Sequence, residues 1–237
     1  GEDVGNFKVG DEVYGQGGIL NGGSGSFAEF VAANVGKVAV KPKSADFIEA
    51  GALPLAGVSA LQALEDHIHL AKGQKILIHG GAGGIGHFAV QLAKSQGAYV
   101  ATTVSTRDME FTKSLGADEV IDYESEAFDE KLTDFDAVFD TVGGETTDKS
   151  FKVLKKGGII VSMVGQPNEE LAQKYGVSAL GQNTDANPER LARLSKLVED
   201  GKIKVHIDKV FPPEQAKEAF GHLEEGRHQG KVVLKIR

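Results

Sequence analysis

The sequence predicts an α/β protein built on a doubly wound parallel sheet, with a smaller region of antiparallel β texture ahead of it. Three observations carry this. From about Lys75 onward, short runs that are apolar throughout alternate with helical patterns. Between one such run and the helix after it, "GGAGGIG" (residues 80–86) sets five glycines into seven positions. Residues 1 to about 44 instead carry short alternating segments around a glycine-rich loop.

In chain order, "DEVYG" and "SFAEFVA" flank "GQGGILNGGSGS" and read as small antiparallel strands joined by a mobile loop. The runs "KILIHG", "AYVATTV", "DEVIDY", "FDAVFDTV" and "GIIVSMVG" are apolar on both faces, as strands of a parallel sheet covered on both sides must be. Helices fall between them: one starting near Gly84, one over "RDMEFTKSLG" and one near 145–155. "YGVSALGQ" is a further strand. "PERLARLSKLVEDG" is a helix with proline at its start and glycine past its end, and "GKVVLKI" is a closing strand.

With 237 residues, 41% hydrophobic and 25% charged, the chain can bury a substantial core in one large domain or in one domain plus a smaller one. A net charge of −8 provides neither a broad basic surface for nucleic acid nor a polybasic membrane anchor, so a small-molecule partner is the expectation. The chain has no cysteine, which excludes disulfides, a thiol nucleophile and cysteine-ligated zinc or iron–sulfur sites; a cytoplasmic protein is expected. No apolar stretch approaches the roughly 20 residues that span a bilayer, and no signal-peptide pattern opens the chain. The first residue is Gly1, not Met, so residues can be missing before it.

Within the glycine stretch, Gly81, Gly83 and Gly86 stand at G-x-G-x-x-G spacing, directly after a predicted strand and directly before a predicted helix. In that context the first glycine permits a tight turn, the second lets the backbone approach a pyrophosphate, and the third lets helix and strand pack closely. The helix end supplies unpaired N–H groups and a positive dipole for the phosphates. The alternative is a glycine-rich turn needed only for packing. No Lys-Ser or Lys-Thr follows, so a Walker-type loop is not indicated. An NAD site would carry Asp or Glu at the end of the second strand, where it bonds the ribose 2′-hydroxyl. Here the strand ends in "TTVSTRD", with Thr103, Ser105 and Arg107 in that region, a set suited to a 2′-phosphate and hence to NADP. The plainer reading is that Ser105 caps the next helix, with Arg107 and Asp108 solvated in its first turn.

Several ordered motifs, "GSFAEFVAANVGKVAVKPKSADFIEAGALPLAGVSALQAL", "GGAGGIGHFAVQLAKSQGA", "SLGADEVIDY", "DTVGG" and "QGKVVLKI", together resemble the zinc-independent quinone oxidoreductases of the medium-chain dehydrogenase/reductase superfamily over nearly the whole chain. The resemblance implies a Rossmann-type cofactor domain over residues 51–182. It also implies a GroES-like partial β-barrel domain over residues 1–50 and a C-terminal segment, 183–237, returning to that domain. NADPH would lie in the cleft between domains and pass a hydride to a quinone or another conjugated carbonyl. Gly83, Gly84, Ile85 and Gly86 would hold the pyrophosphate, and Tyr123 would lie near the adenosine end, unless it is a half-buried strand aromatic. Val142, Gly143, Val164 and Gly165 would border the cofactor at the strand ends, with Leu180 and Lys231 as further contacts. The family's usual assembly implies a homodimer joined near "YGVSALGQ".

Family members carry further residues before the point where this chain begins, and residues 1–13 resemble a mid-barrel segment. The chain is then a fragment, or is completed by another chain, or has discarded part of its substrate site. His67 and His69 are close in sequence but have no third ligand in view, so no metal is expected. No G-x-S-x-G follows a strand, and a Ser-His-Asp hydrolase is not indicated. Hydride addition to an enone leaves an enolate that needs a donor, for which Tyr14 and Ser59 are the available hydroxyls; Tyr14 can equally be barrel packing. A dinucleotide-binding protein without turnover, redox-sensing or structural, remains the alternative to an enzyme.

Overall fold

The structure, a computed structural model, describes residues 4–237. The chain forms two compact units: Gly1–Val58 with Asp185–Arg237, and Ser59–Thr184.

In the first unit, β1 (Val13–Gly15) pairs antiparallel with β2 (Val38–Val40). "SFAEFVA" forms no strand. It belongs to none of the sheets, and Phe27 and Phe30 are 71% and 79% exposed. Period-2 patterning makes a strand only where a neighbouring ladder takes up its backbone hydrogen bonds. Helix α1 (Phe47–Ala52) opens on a capping box in which Asp46 and Glu49 satisfy each other's backbone N–H groups. Helix α2 (Ala56–Leu61) follows and runs into a π-helical segment, Gln62–His67.

The second unit is built on a six-stranded, wholly parallel sheet. Its elements alternate as the sequence pattern requires: β3 (Lys75–His79), α3 (Gly86–Ser95), β4 (Tyr99–Val104), α4 (Met109–Ser114), β5 (Glu119–Asp122), α5 (Phe128–Lys131), β6 (Phe135–Asp140), α6 (Glu145–Ser150), β7 (Leu154–Ser162), α7 (Glu169–Tyr175) and β8 (Ser178–Gly181). The spatial order is β5-β4-β3-β6-β7-β8, so the order reverses at β3. Ile76, Leu77 and Ile78 are all fully buried, which is why this strand reads as an unbroken apolar run. One face packs Leu77, Ala101, Ile121, Phe135, Val138, Phe151 and Ile160 into a core closed by Phe128 of α5. The helix expected over 145–155 ends at Ser150, because β7 starts earlier than its apolar run, at Leu154.

The chain then completes the first unit with α8 (Pro188–Glu199), β9 (Ile207–Phe211), α9 (Ala216–Glu224) and β10 (Lys231–Leu234). Asn187 caps α8 by accepting from the Arg190 N–H, Pro188 takes its first turn, and Leu191, Leu194 and Leu197 are buried along one face. Strands β9 and β10 pair in parallel. Among the described residues no helix is long and apolar enough to cross a membrane.

Candidate functional site

In open parallel sheets ligands bind outside the carboxyl ends of the strands, where the strand order reverses. Here that point is the end of β3, and the glycine stretch leaves it. Gly80 and Gly81 both donate N–H to the Thr103 carbonyl at the end of β4, 3.1 and 3.3 Å away, and Gly83 donates back to Gly80 at 3.0 Å. Helix α3 then starts at Gly86, two residues later than the sequence suggested.

The three fingerprint glycines differ in what a side chain would meet. An added Cβ at Gly81 would lie 2.1 Å from the Thr102 hydroxyl, and one at Gly86 would lie 2.0 Å from the Gly80 carbonyl oxygen. Both positions are filled by the protein itself. At Gly83 the one contact within 4 Å is the Gly80 oxygen at 3.3 Å, so the space beyond it is open. None of the three needs a positive φ; they are glycines for room, not for conformation. Gly83, Gly84 and Ile85 are half-buried between buried neighbours, and α3 presents there the first-turn N–H groups that a helix leaves without intrahelical partners. An open cradle lined by backbone donors fits a pyrophosphate.

Beneath the loop the sheet holds a polar network that the sequence reading missed. His79 is fully buried, 2.8 Å from the Thr103 hydroxyl through Nδ1 and 2.8 Å from the Ser150 hydroxyl through Nε2. The Ser150 proton goes to the Thr146 carbonyl at 2.6 Å, so Nε2–H donates to Ser150 and the Thr103 hydroxyl donates to Nδ1. The ring is neutral: burial lowers its pKa to about 4, against an opposing pull from the Asp140 charge. Thr103 therefore supports the loop from the interior, and its hydroxyl is not available to a ribose phosphate. A folded-state pKa below the unfolded value means that the unfolded chain binds the extra proton. Stability from His79 is thus present above pH ~6.5 and falls by up to ~3 kcal/mol as pH drops to ~4. The depressed carboxylates Asp118, Asp122, Asp129, Asp136, Asp185 and Asp208 act in a lower window, because their pKa values lie below 3.8. Urea titrations from pH 7 to 4 should show this slope in the wild type and a flatter one in His79→Gln; equal slopes would contradict the assignment.

At the end of β4, Ser105 donates to the Asp108 carboxylate at 2.7 Å, and Arg107 Nε reaches the same oxygen at 3.3 Å. The Ser105 side chain makes no cap hydrogen bond, and Asp108 is buried rather than solvated. In this arrangement the one Ser105 hydroxyl proton is engaged by Asp108. Thr106 hydrogen-bonds Asp122 at 2.6 Å and Glu124 at 2.8 Å, so this edge also carries acidic groups from the end of β5 that the sequence reading passed over. Arg107, its side chain 41% exposed, is the basic group in the expected set.

Further along the strand ends, Tyr123 lies just past β5 and is 60% exposed, not a half-buried strand aromatic. Val142 and Val164 follow β6 and β7 and are 53% and 56% exposed, beside Gly143 (φ +89°) and Gly165 (φ +128°). Exposed valines beside glycines at successive strand ends form an apolar ledge in line with the glycine loop. Leu180 lies half-buried on β8, opposite Val161, at the edge of the sheet.

Tyr14 and Lys231 belong to the first unit. Tyr14 is buried, donates to the Leu191 carbonyl at 2.6 Å and accepts from Ser195 at 3.0 Å; burial pushes its pKa up to about 12. It joins β1 to α8, the packing role that the sequence left open for it, with its proton on the Leu191 carbonyl. Ser59 in the second unit is also fully buried, 2.6 Å from the Thr184 hydroxyl. Lys231 opens β10, and burial lowers its pKa below the ordinary lysine value. His67 lies 3.3 Å from the Gln62 amide nitrogen, and His69 pairs with the Glu65 carbonyl at 2.9 Å. Among the described residues no group of three or more His, Asp or Glu side chains is arranged to hold a metal ion.

The family profile described as zinc-binding dehydrogenase matches residues 115–234. The 2-methylene-furan-3-one reductase of Solanum lycopersicum is 40% identical over 99% of this chain and 60% of its own length. The chloroplastic NADPH-dependent alkenal/one oxidoreductase of Arabidopsis thaliana is 36% identical over the same shares. The chain thus spans 60% of the length of these two curated relatives. Among solved structures, the quinone oxidoreductase from Coxiella burnetii superposes with a TM-score of 0.89 at 36% identity, covering 100% of this chain and 75% of that one. With sequence and fold in agreement from one end to the other, the chain belongs to the medium-chain dehydrogenase/reductase superfamily, among its quinone-oxidoreductase-like members.

Proposed function

We propose that the chain binds NADPH along the strand ends of the second unit and serves an NADPH-dependent reduction of a quinone or another conjugated carbonyl. The observation that carries this is the cradle at Gly83, open to a ligand while Gly81 and Gly86 are closed by the protein itself. NADPH, when bound, supplies the hydride. The chain's own part is to seat the pyrophosphate against Gly83, on the N–H groups of residues 84–86, and to offer the Val142 and Val164 ledge to the apolar end of the cofactor, excluding water there. The reductases named above support a small conjugated acceptor, and a second copy joining at the β8 edge is the assembly we expect.

The burial of both Tyr14 and Ser59 favours a second reading, a dinucleotide-binding protein without turnover. Following NADPH absorbance with a panel of quinones and enones separates the two: oxidation that depends on the acceptor supports the enzyme, and tight binding with no oxidation of any acceptor supports the binder. Choice of NADPH over NADH rests on Arg107. Removing one charge-assisted contact to the 2′-phosphate, Arg107→Ala should weaken NADPH binding by about 10- to 150-fold and leave NADH nearly unchanged. Equal weakening of both cofactors would mean that the arginine supports the fold instead.

A further inference from the structure

Under the valine ledge lies a carboxylate that the functional reading has not used. Asp140, the last residue of β6, is fully buried. Its Oδ1 accepts the N–H groups of Val142 at 2.9 Å and Gly143 at 3.1 Å, and its Oδ2 accepts the hydroxyls of Thr147 at 2.5 Å and Ser162 at 3.4 Å. Ser162 is its register partner on β7, and the Ser162 oxygen in turn accepts the Val164 N–H at 3.2 Å. The turns after β6 and β7 also touch: a Cβ on Gly143 would come within 2.9 Å of the Val164 side chain. Burying a carboxylate is costly unless donors surround it, and three of the four donors here lie in, or lead directly to, the two ledge turns.

We propose that Asp140 is a positioning residue for the dinucleotide: its carboxylate ties the turn after β6, and through Ser162 the turn after β7, into one preorganised ledge. The proposal rests on the NADPH reading above. Turns already fixed lose little freedom when a ligand settles on them, whereas loose turns must be ordered at the expense of affinity. Two variants break the tie at different points and one preserves most of it. Asp140→Ala removes all four contacts. Ser162→Ala removes only the branch to Val164. Asp140→Asn keeps an oxygen for Val142 and Gly143 and turns an amide donor toward Thr147.

The experiment measures NADPH dissociation constants by fluorescence and, without cofactor, amide hydrogen exchange in the segments 140–146 and 162–166. Asp140→Ala should weaken NADPH binding by about 10- to 100-fold, the loss expected when several turn residues must be ordered on binding, and speed exchange in both segments. Ser162→Ala should weaken it by a smaller factor and speed exchange only in 162–166. Asp140→Asn should recover most of the affinity lost in the alanine variant. Should Asp140→Ala fail to fold, the other two variants decide. A Ser162→Ala protein with a loosened second turn and wild-type affinity would overturn the proposal, as would Asp140→Asn binding far more weakly than Ser162→Ala. If the wild type itself does not bind NADPH, the functional reading fails and this one with it; the wild-type titration tells that case from the others.

Discussion

Replacing Gly83 with valine is expected to weaken NADPH binding by about 100-fold or more, the consequence of losing at least two charge-assisted contacts to the pyrophosphate. The side chain would project into the one open position of the fingerprint, where the protein offers only the Gly80 oxygen at 3.3 Å. The backbone there has no positive φ, so valine is not strained by conformation. The Cβ still presses on the Gly80 oxygen, so the melting temperature should fall, but by less than in a variant at Gly86, while far-ultraviolet circular dichroism keeps the wild-type shape and fluorescence titration records the loss. Unchanged affinity would remove the pyrophosphate from this loop.

Gly86→Ala should do the opposite. Its methyl group would be placed 2.0 Å from the Gly80 carbonyl oxygen, a backbone atom that cannot swing aside. The start of α3 must then move away from β3, at a cost of about 3 kcal/mol or more, at the upper end of what overpacking costs. For a chain of this size that lowers the melting temperature by about 6–12 °C. A scanning measurement of thermal unfolding checks it; an alanine variant as stable as wild type would show that the contact between helix and loop is looser than the structure has it. The two variants together separate a glycine needed by a ligand from one needed by the fold.

How far the sequence spoke for itself depended on whether a residue's role was local. The apolar runs from Ile76 to Val161 and the helices between them were legible because each strand's burial on both faces leaves a pattern in its own few residues. So was the place of the fingerprint glycines, whose spacing encodes the turn that leaves β3 and the start of α3 within six positions. Tyr14 was not legible: its hydroxyl is committed to Leu191, 177 residues away in the chain. His79 and Asp140 each stand at the end of an apolar run, and nothing within the run shows that β4, α6 and β7 bring Thr103, Ser150 and Ser162 to meet them. The strand expected over "SFAEFVA" failed for a related reason, since alternation marks a candidate face and only a pairing neighbour makes it a strand.

At the ribose end, side-chain chemistry alone did not show which groups the protein itself engages. Ser105 and Thr103 are the right kind of group for a phosphate, but their protons are already spent on Asp108 and His79. Arg107 is the member of that set whose charge still favours a 2′-phosphate, in surroundings that also include Asp122 and Glu124.

In the proposed function the dinucleotide lies along the carboxyl ends of β3, β6 and β7 in the second unit. Backbone amide resonances recorded on the isotope-labelled chain during an NADPH titration test it most directly. The largest shifts are expected on Gly83, Gly84, Ile85 and Gly86 and on the turns holding Val142, Gly143, Val164 and Gly165, saturating with one cofactor per chain. Saturable binding that leaves those amides unshifted, or no binding at all, would contradict it.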